Sequence, residues 1–338
     1  MGVTLRRLAF IGTGLLMASP ATAHHSRAIY DLERNVTIEG VVTKFDWANP
    51  HVYLYVEAQS AGGEPVVWEI ENGSTTAMGR RGWTRESFAP GDRVIVEANP
   101  SKDPNRHAAV VTTVTKSGVT WIGRGRLAEE FSQSLDASVT ADGLTGTWVV
   151  PQAELVGYFS EPDAWPLTPK ASAAVESYDD LSMNPQIQCI SRTAPWVMIF
   201  PSVQRIEVGD TLVSIRSEYD TVERTVHMNV SSHDGAEPAH QGHSIGWWEG
   251  ETLVIDTTHF SNHRSGNARG VPSGSSKHVV ERYELNADRT GLTYSFVLED
   301  PEHLTAPVSG EVHSAYRPDV EFSPVPCDAE NARRFLGN

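Results

Sequence analysis

The sequence predicts an all-β protein made of two successive barrels, a small OB-like one followed by a larger lipocalin-like antiparallel β-barrel. Three observations lead there. Short runs alternating apolar and polar residues recur between Val36 and Glu299, and Gly-, Pro- and Asp-containing turns separate them. The later runs are rich in Val, Ile, Thr, Tyr and Trp and follow one another as hairpins. Closure into barrels is then the economical arrangement, because it leaves no exposed sheet edge.

The first 23 residues stand apart from this pattern. Arg6 and Arg7 precede an apolar stretch from Leu8 to Met17, and Ala21-Thr22-Ala23 has the small-x-small form of a signal peptidase site. Residues 1–23 therefore read as a signal peptide, the mature chain is expected to begin at His24, and the expected location is periplasmic or secreted. No later segment offers the roughly 20 apolar residues of a membrane helix, so no membrane span is expected. The formal charge is −16 and falls to −18 once the two leader arginines are gone. That balance disfavours nucleic acid and anionic lipid as partners, since both require clustered Lys and Arg.

Residues 24–117 form the OB-like unit. Its five strands are expected at Val36–Trp47, His51–Glu57, Val66–Glu71, Arg93–Ala98 and Ala108–Thr115, with one helical turn near Thr75–Arg80. Between 118 and 143 Gly, Ser and Ala rise, while Leu127, Phe131 and Leu135 recur at near-helical spacing; this reads as a linker with a short helix. Residues 144–338 make the larger barrel. It opens on Gly146-Thr147-Trp148 and continues through Gln204–Glu218, Thr221–Val230, His243–Trp248, Thr252–Phe260, Lys277–Asn286 and Thr293–Glu299. The opening Gly-x-Trp resembles the first strand of lipocalin-like barrels. Cys189 and Cys327 are the only cysteines, and an oxidising compartment makes a disulfide between them the expected state.

Two places concentrate chemistry. At the mature terminus the α-amine and ring of His24 form one chelate, and the ring of His25 or a more distant histidine completes an all-nitrogen site, a donor set that favours Cu(II). His51 follows Pro50 at a strand entry and is the candidate third ligand. In the second barrel, a turn centred on Glu249-Gly250 would oppose His243 to Asp256, close enough for the carboxylate to fix the imidazole tautomer. Ile245, Trp247, Thr252 and Val254 would share that face, which as the barrel interior would make a pocket for a small apolar or aromatic ligand, with Trp148 and His227 among its walls. Arg224 and Arg282 would steady negative charge there, or else pair across strands with Glu218 or Glu281. His233, His240, His259 and His263 make a His-rich stretch whose gaps match no standard structural zinc site.

Residues 24–116 carry His24-His25-Ser26, Tyr30-Asp31, Gly40-Val41-Val42, Trp47, Asn49-Pro50-His51, Trp68 and Gly91-Asp92. This set resembles a widespread secreted bacterial domain family of unknown function, which implies no activity. The N-terminal histidine also resembles the histidine brace of copper monooxygenases and copper carriers, in ligand chemistry alone. The run Trp248 to Thr257 resembles a second secreted bacterial family of unknown function, with Glu251 in place of an Asp.

Three functions follow as expectations. One is a two-domain binding protein holding copper at its mature terminus and an apolar ligand in its second barrel. Another is a cofactor-independent lyase, isomerase or hydrolase using His243 and Asp256, with Arg224 or Arg282 as the anion holder. A third is an envelope interaction module exposing Trp83, Trp121, Trp165 and Trp247.

Overall fold

The structure is a computed structural model that describes residues 29–60, 62–123, 139–150, 165–179, 182–200 and 202–334. The expected leader, His24, His25 and the helical stretch expected around Leu127–Leu135 lie outside the described residues.

The first barrel is built from β1 (Val36–Asp46), β2 (Tyr53–Gln59), β3 (Pro65–Glu71), β4 (Arg93–Pro100) and β5 (Ala108–Lys116). The strands run in the order β3-β2-β1-β4-β5, and a parallel pairing of β3 with β5 closes the ring, as expected of an OB-like barrel. A register shift between Val42 and Lys44 bulges β1 where it must curve around both neighbours. Alternation along each strand sends Val42, Leu54, Val56, Ile70 and Val96 inward, and Trp83 fills the end of that core. Helix α1 (Thr75–Gly79) falls where the helical turn was expected; the Ser74 hydroxyl accepts from the Ala77 amide at its start. Residues Val119–Ile122, expected in the linker, instead form a sixth strand, β6, paired with β5. Its β-branched and aromatic side chains and the Ser117-Gly118 turn make it a hairpin arm.

The second barrel has nine strands, closed in chain order: β7 (Gly146–Val149), β8 (Val203–Val208), β9 (Leu212–Ser217), β10 (Val222–His227), β11 (His243–Glu249), β12 (Thr252–Thr258), β15 (His278–Leu285), β16 (Gly291–Glu299) and β17 (Val308–Tyr316), which returns to β7. A side hairpin of β13 (His263–Ala268) and β14 (Val271–Ser273) interrupts the series. Every neighbouring pair is antiparallel except β10 with β11, which run parallel. Residues 228–242 between them are too many for a hairpin, so the chain crosses back before re-entering the sheet. The short helices α2 (Pro169–Glu176) and α3 (Trp196–Ile199) precede β8, and all four residues of α3 are buried in the barrel core with Trp148, Ile206, Leu253, Ile255 and Tyr294.

The two barrels are stitched by the C-terminal segment. Cys189 and Cys327 are disulfide-bonded, as expected. Asn49 of the first barrel donates to the Val325 carbonyl, and its own carbonyl accepts from the Asp328 amide. Helix α4 (Ala329–Arg333) follows, and Arg334 then reaches Asp46 and the Tyr55 hydroxyl at 2.7 and 2.6 Å. From the other side, Ser323 donates to Glu218, which also takes Arg80 of the first barrel in an ion pair.

Candidate functional site

The β11–β12 hairpin sets the main site, and its register differs from expectation. Glu249 pairs with Thr252, so the two-residue turn is Gly250-Glu251, with Gly250 at φ +65° in the first central position, the pattern of a type II′ turn. His243 therefore faces Thr258, and Asp256 faces Ile245. The expected direct opposition of His243 and Asp256 does not form. The face is also the opposite one: Leu253, Ile255 and Thr257 point into the barrel, while His243, Trp247 and Asp256 lie outside.

On that outer face the 228–242 crossover supplies what the register withholds. Ala239 bridges to Phe260 beside β12, and the loop brings His233 between the two residues that were expected to touch. His233 Nε2 lies 3.0 Å from Asp256 Oδ1, and His233 Nδ1 lies 2.8 Å from His243 Nδ1. The second carboxylate oxygen of Asp256 accepts from His278 Nε2 at 2.9 Å, and His278 Nδ1 faces Glu299 at 3.2 Å. A carboxylate only accepts, so His233 carries its proton on Nε2 and, when neutral, accepts on Nδ1 from His243 Nδ1–H. His227 stacks on His243 with ring centroids 5.1 Å apart, and His259 on His233 at 5.9 Å.

Electrostatics sharpen the roles. Burial opposes charge on Asp256, but its bonds to His278 and His233 outweigh that and hold the carboxyl below the usual range. The bond to Asp256 raises the pKa of His278 against its own partial burial, as expected for an imidazolium between two carboxylates. His243 moves the other way, lowered first by burial and then by His233, His227 and His259. The result is a wire of alternating donors and acceptors ending in a neutral imidazole. As the side chains stand, no three His, Cys, Asp or Glu donors among the described residues converge on one point.

Other expected residues separate from this face. Arg224 is inside the barrel, fully buried against Glu281, with Nη1 to Oε1 at 2.8 Å; Tyr294 donates to the same carboxylate at 2.9 Å. The cross-strand alternative with Glu281 is thus the one realised, although two strands separate the partners. Arg282 is on the outer surface, bonded to Glu249 at 2.7 Å, and Trp247 donates to the other oxygen of that carboxylate at 3.0 Å. The two arginines do not share a site. Trp148 is a core residue, its indole N–H bonded to the Leu144 carbonyl at 2.8 Å and its ring against Tyr316. Trp83 is likewise buried and Trp121 packs on the first core, so the expected tryptophan patches reduce to Trp247 and its neighbour Trp248.

A second polar cluster closes the first barrel near its N-terminal entry. Glu71 is buried and accepts from the Tyr30 and Tyr53 hydroxyls at 3.1 and 3.4 Å. Burial, and then the Glu71 charge, raise both phenols well above their ordinary range. His51 Nδ1 lies 3.2 Å from the Asn72 carbonyl and 3.5 Å from Glu71. A carbonyl only accepts, so Nδ1 carries the proton and the neutral ring offers Nε2, which has no partner among the described residues. The neighbouring Asn49 orders this corner by accepting from the Thr75 amide and hydroxyl.

His233 and His259 were visible only as members of a His-rich stretch, and His278, Glu299 and Glu71 gave no signal. The spacing that unites them is set by a crossover and by strands some 20 residues apart, which no local pattern records.

Residues 14–110 match a family of unknown function, DUF6152. No curated protein matches the chain. Among the described residues no helix is long and apolar enough to cross a membrane.

Proposed function

We propose that this is an exported two-barrel copper-binding protein, with His24, His25 and His51 supplying the ligands at the mouth of the first barrel. The observation that carries the reading is the state of His51. Its Nδ1–H is committed to the Asn72 carbonyl, with Glu71 behind it, and this leaves Nε2 for an ion. Metal-binding histidines are commonly oriented in this way, by a carbonyl or carboxylate on the far nitrogen. Tyr30 is pinned to the same Glu71, and its strand bridge to Ser101 fixes where the chain enters the barrel. His24 lies six residue steps before Tyr30, a reach of about 20 Å when extended, so the terminal amine and rings can meet His51.

In this reading signal-peptide cleavage after Ala23 creates the amine-imidazole chelate, and a nitrogen-only donor set selects Cu(II) among the first-row divalent ions. Titration of Cu(II) into protein matured by export tests it. Wild type should hold one tight equivalent whose affinity falls 10-fold or more in His51→Ala, whatever further Cu(II) the protein takes up elsewhere. Equal affinity in the two proteins would overturn the assignment.

The acid-base reading no longer has its expected centre. His243 is on an outer face, Asp256 reaches it only through His233, and Arg224 and Arg282 lie on opposite sides of the wall.

A further inference from the structure

We propose a second metal site on the outer face of the large barrel, in which a divalent ion of the zinc class takes the place of the proton shared by His233 and His243. Two imidazole nitrogens from different elements, a crossover loop and strand β11, point at each other 2.8 Å apart. Such a pair needs one proton between the two lone pairs. An ion in that position displaces the His243 Nδ1 proton to solvent and is bound by both nitrogens.

The surroundings suit an ion better than a lone hydrogen bond. His227 and His259 flank the pair, one stacked on each ring, and His259 Nδ1 is held by the Thr258 hydroxyl at 2.8 Å. That leaves His259 Nε2 without a hydrogen-bond partner among the described residues. Asp256 sits behind His233 and accepts from its Nε2–H, the carboxylate-histidine-metal arrangement that fixes a ligand's tautomer and raises its basicity. His278, bridging Asp256 and Glu299, holds the carboxylate in turn.

Two nitrogens on a tetrahedral ion at about 2.0–2.1 Å lie roughly 3.3 Å apart, so the His233 and His243 rings must part by about half an ångström. His227 and His259 must turn inward to complete the set, so the site forms around the ion. The anchors of the crossover lie away from His233, at Met228 to Thr211, at Ala239 beside Phe260, and at His240 and Gln241 to Ser191 and Arg192, so the His233 ring, held through its bonds to Asp256 and His243, can shift without releasing them.

The site is independent of the copper proposal, and His51→Ala protein isolates it. Co(II) is the probe, because tetrahedral Co(II) absorbs strongly in the visible. One equivalent should bind with that spectrum and be displaced by Zn(II). His233→Ala and His243→Ala should each abolish the spectrum, and Asp256→Asn should weaken binding 10- to 100-fold. His313→Ala, an exposed histidine on β17, should change nothing. The metal-free thermal transition of each variant establishes that it folds, and zinc-induced stabilisation of the wild-type barrel gives a readout that needs no variant. Absence of Co(II) uptake, absence of zinc stabilisation, or a full spectrum in His233→Ala would each overturn the proposal.

Discussion

His263 shows how a single buried residue sets a pH limit. Its Nδ1 accepts from the Ser265 amide and its Nε2–H donates to the Ser191 carbonyl, so the ring is held neutral. Burial, then the positive surroundings of His240 and Lys277, push its pKa down to about 4. In the unfolded chain the ring protonates near 6.5, so the unfolded state binds the extra proton first as pH falls. The stabilising contribution is complete above about pH 6.5 and is lost between there and about pH 4, amounting to roughly 3 kcal/mol. Urea unfolding at pH 7 and 4.5 should show that loss in wild type and a clearly smaller one in His263→Gln. Equal slopes would contradict it. The two arginines offer a second residue-scale contrast. Glu281→Gln leaves the buried Arg224 uncompensated and should cost about 3–5 kcal/mol. Arg282→Ala breaks an exposed pair with Glu249 and should cost less than about 1 kcal/mol.

The β11–β12 hairpin shows what an element reveals in advance. Alternation located both strands and showed that His243 and Asp256 share a face, because parity survives a shift of two residues. The turn was misplaced by one position: Glu249-Gly250 and Gly250-Glu251 are both plausible turns, and only the φ of +65° at Gly250 decides. Which face points inward was not legible either. The inner face mixes Leu253 and Ile255 with Ser244, Gly246 and Thr257, whereas the outer face carries the buried Val254 and Ile245. Gly246 makes the inner packing testable. A Cβ there would meet Val226 Cγ1 at 2.7 Å and Met228 Sδ at 2.9 Å, so Gly246→Ala should destabilise by about 1–3 kcal/mol in urea. A neutral result would mean that β10 and β11 are less closely apposed than their parallel pairing implies.

At the scale of the molecule, both barrels and the cysteine pair were readable, because closure and oxidation follow from pattern and composition. The C-terminal strap was not, since it is held by two bonds to Asn49 and by scattered single contacts to Asp46, Tyr55, Ile187, Glu218 and Thr221. The disulfide closes a span of 138 residues, and breaking it should cost about 4–5 kcal/mol by the loop-entropy estimate. Cys189→Ala/Cys327→Ala protein should also lose its C-terminal segment to limited proteolysis before either barrel is cut. Simultaneous cleavage would contradict a strap held chiefly by that bond.

The proposed copper site depends on the α-amine of His24 acting as a ligand at the mouth of the first barrel. The most direct measurement compares electron paramagnetic resonance of Cu(II) bound to the chain beginning at His24 with that of the same chain carrying one glycine before it. A multi-nitrogen spectrum is expected in the first protein, and a weaker, altered site in the second, where the amine no longer closes a chelate with the His24 ring. Identical spectra and affinities in both would contradict it.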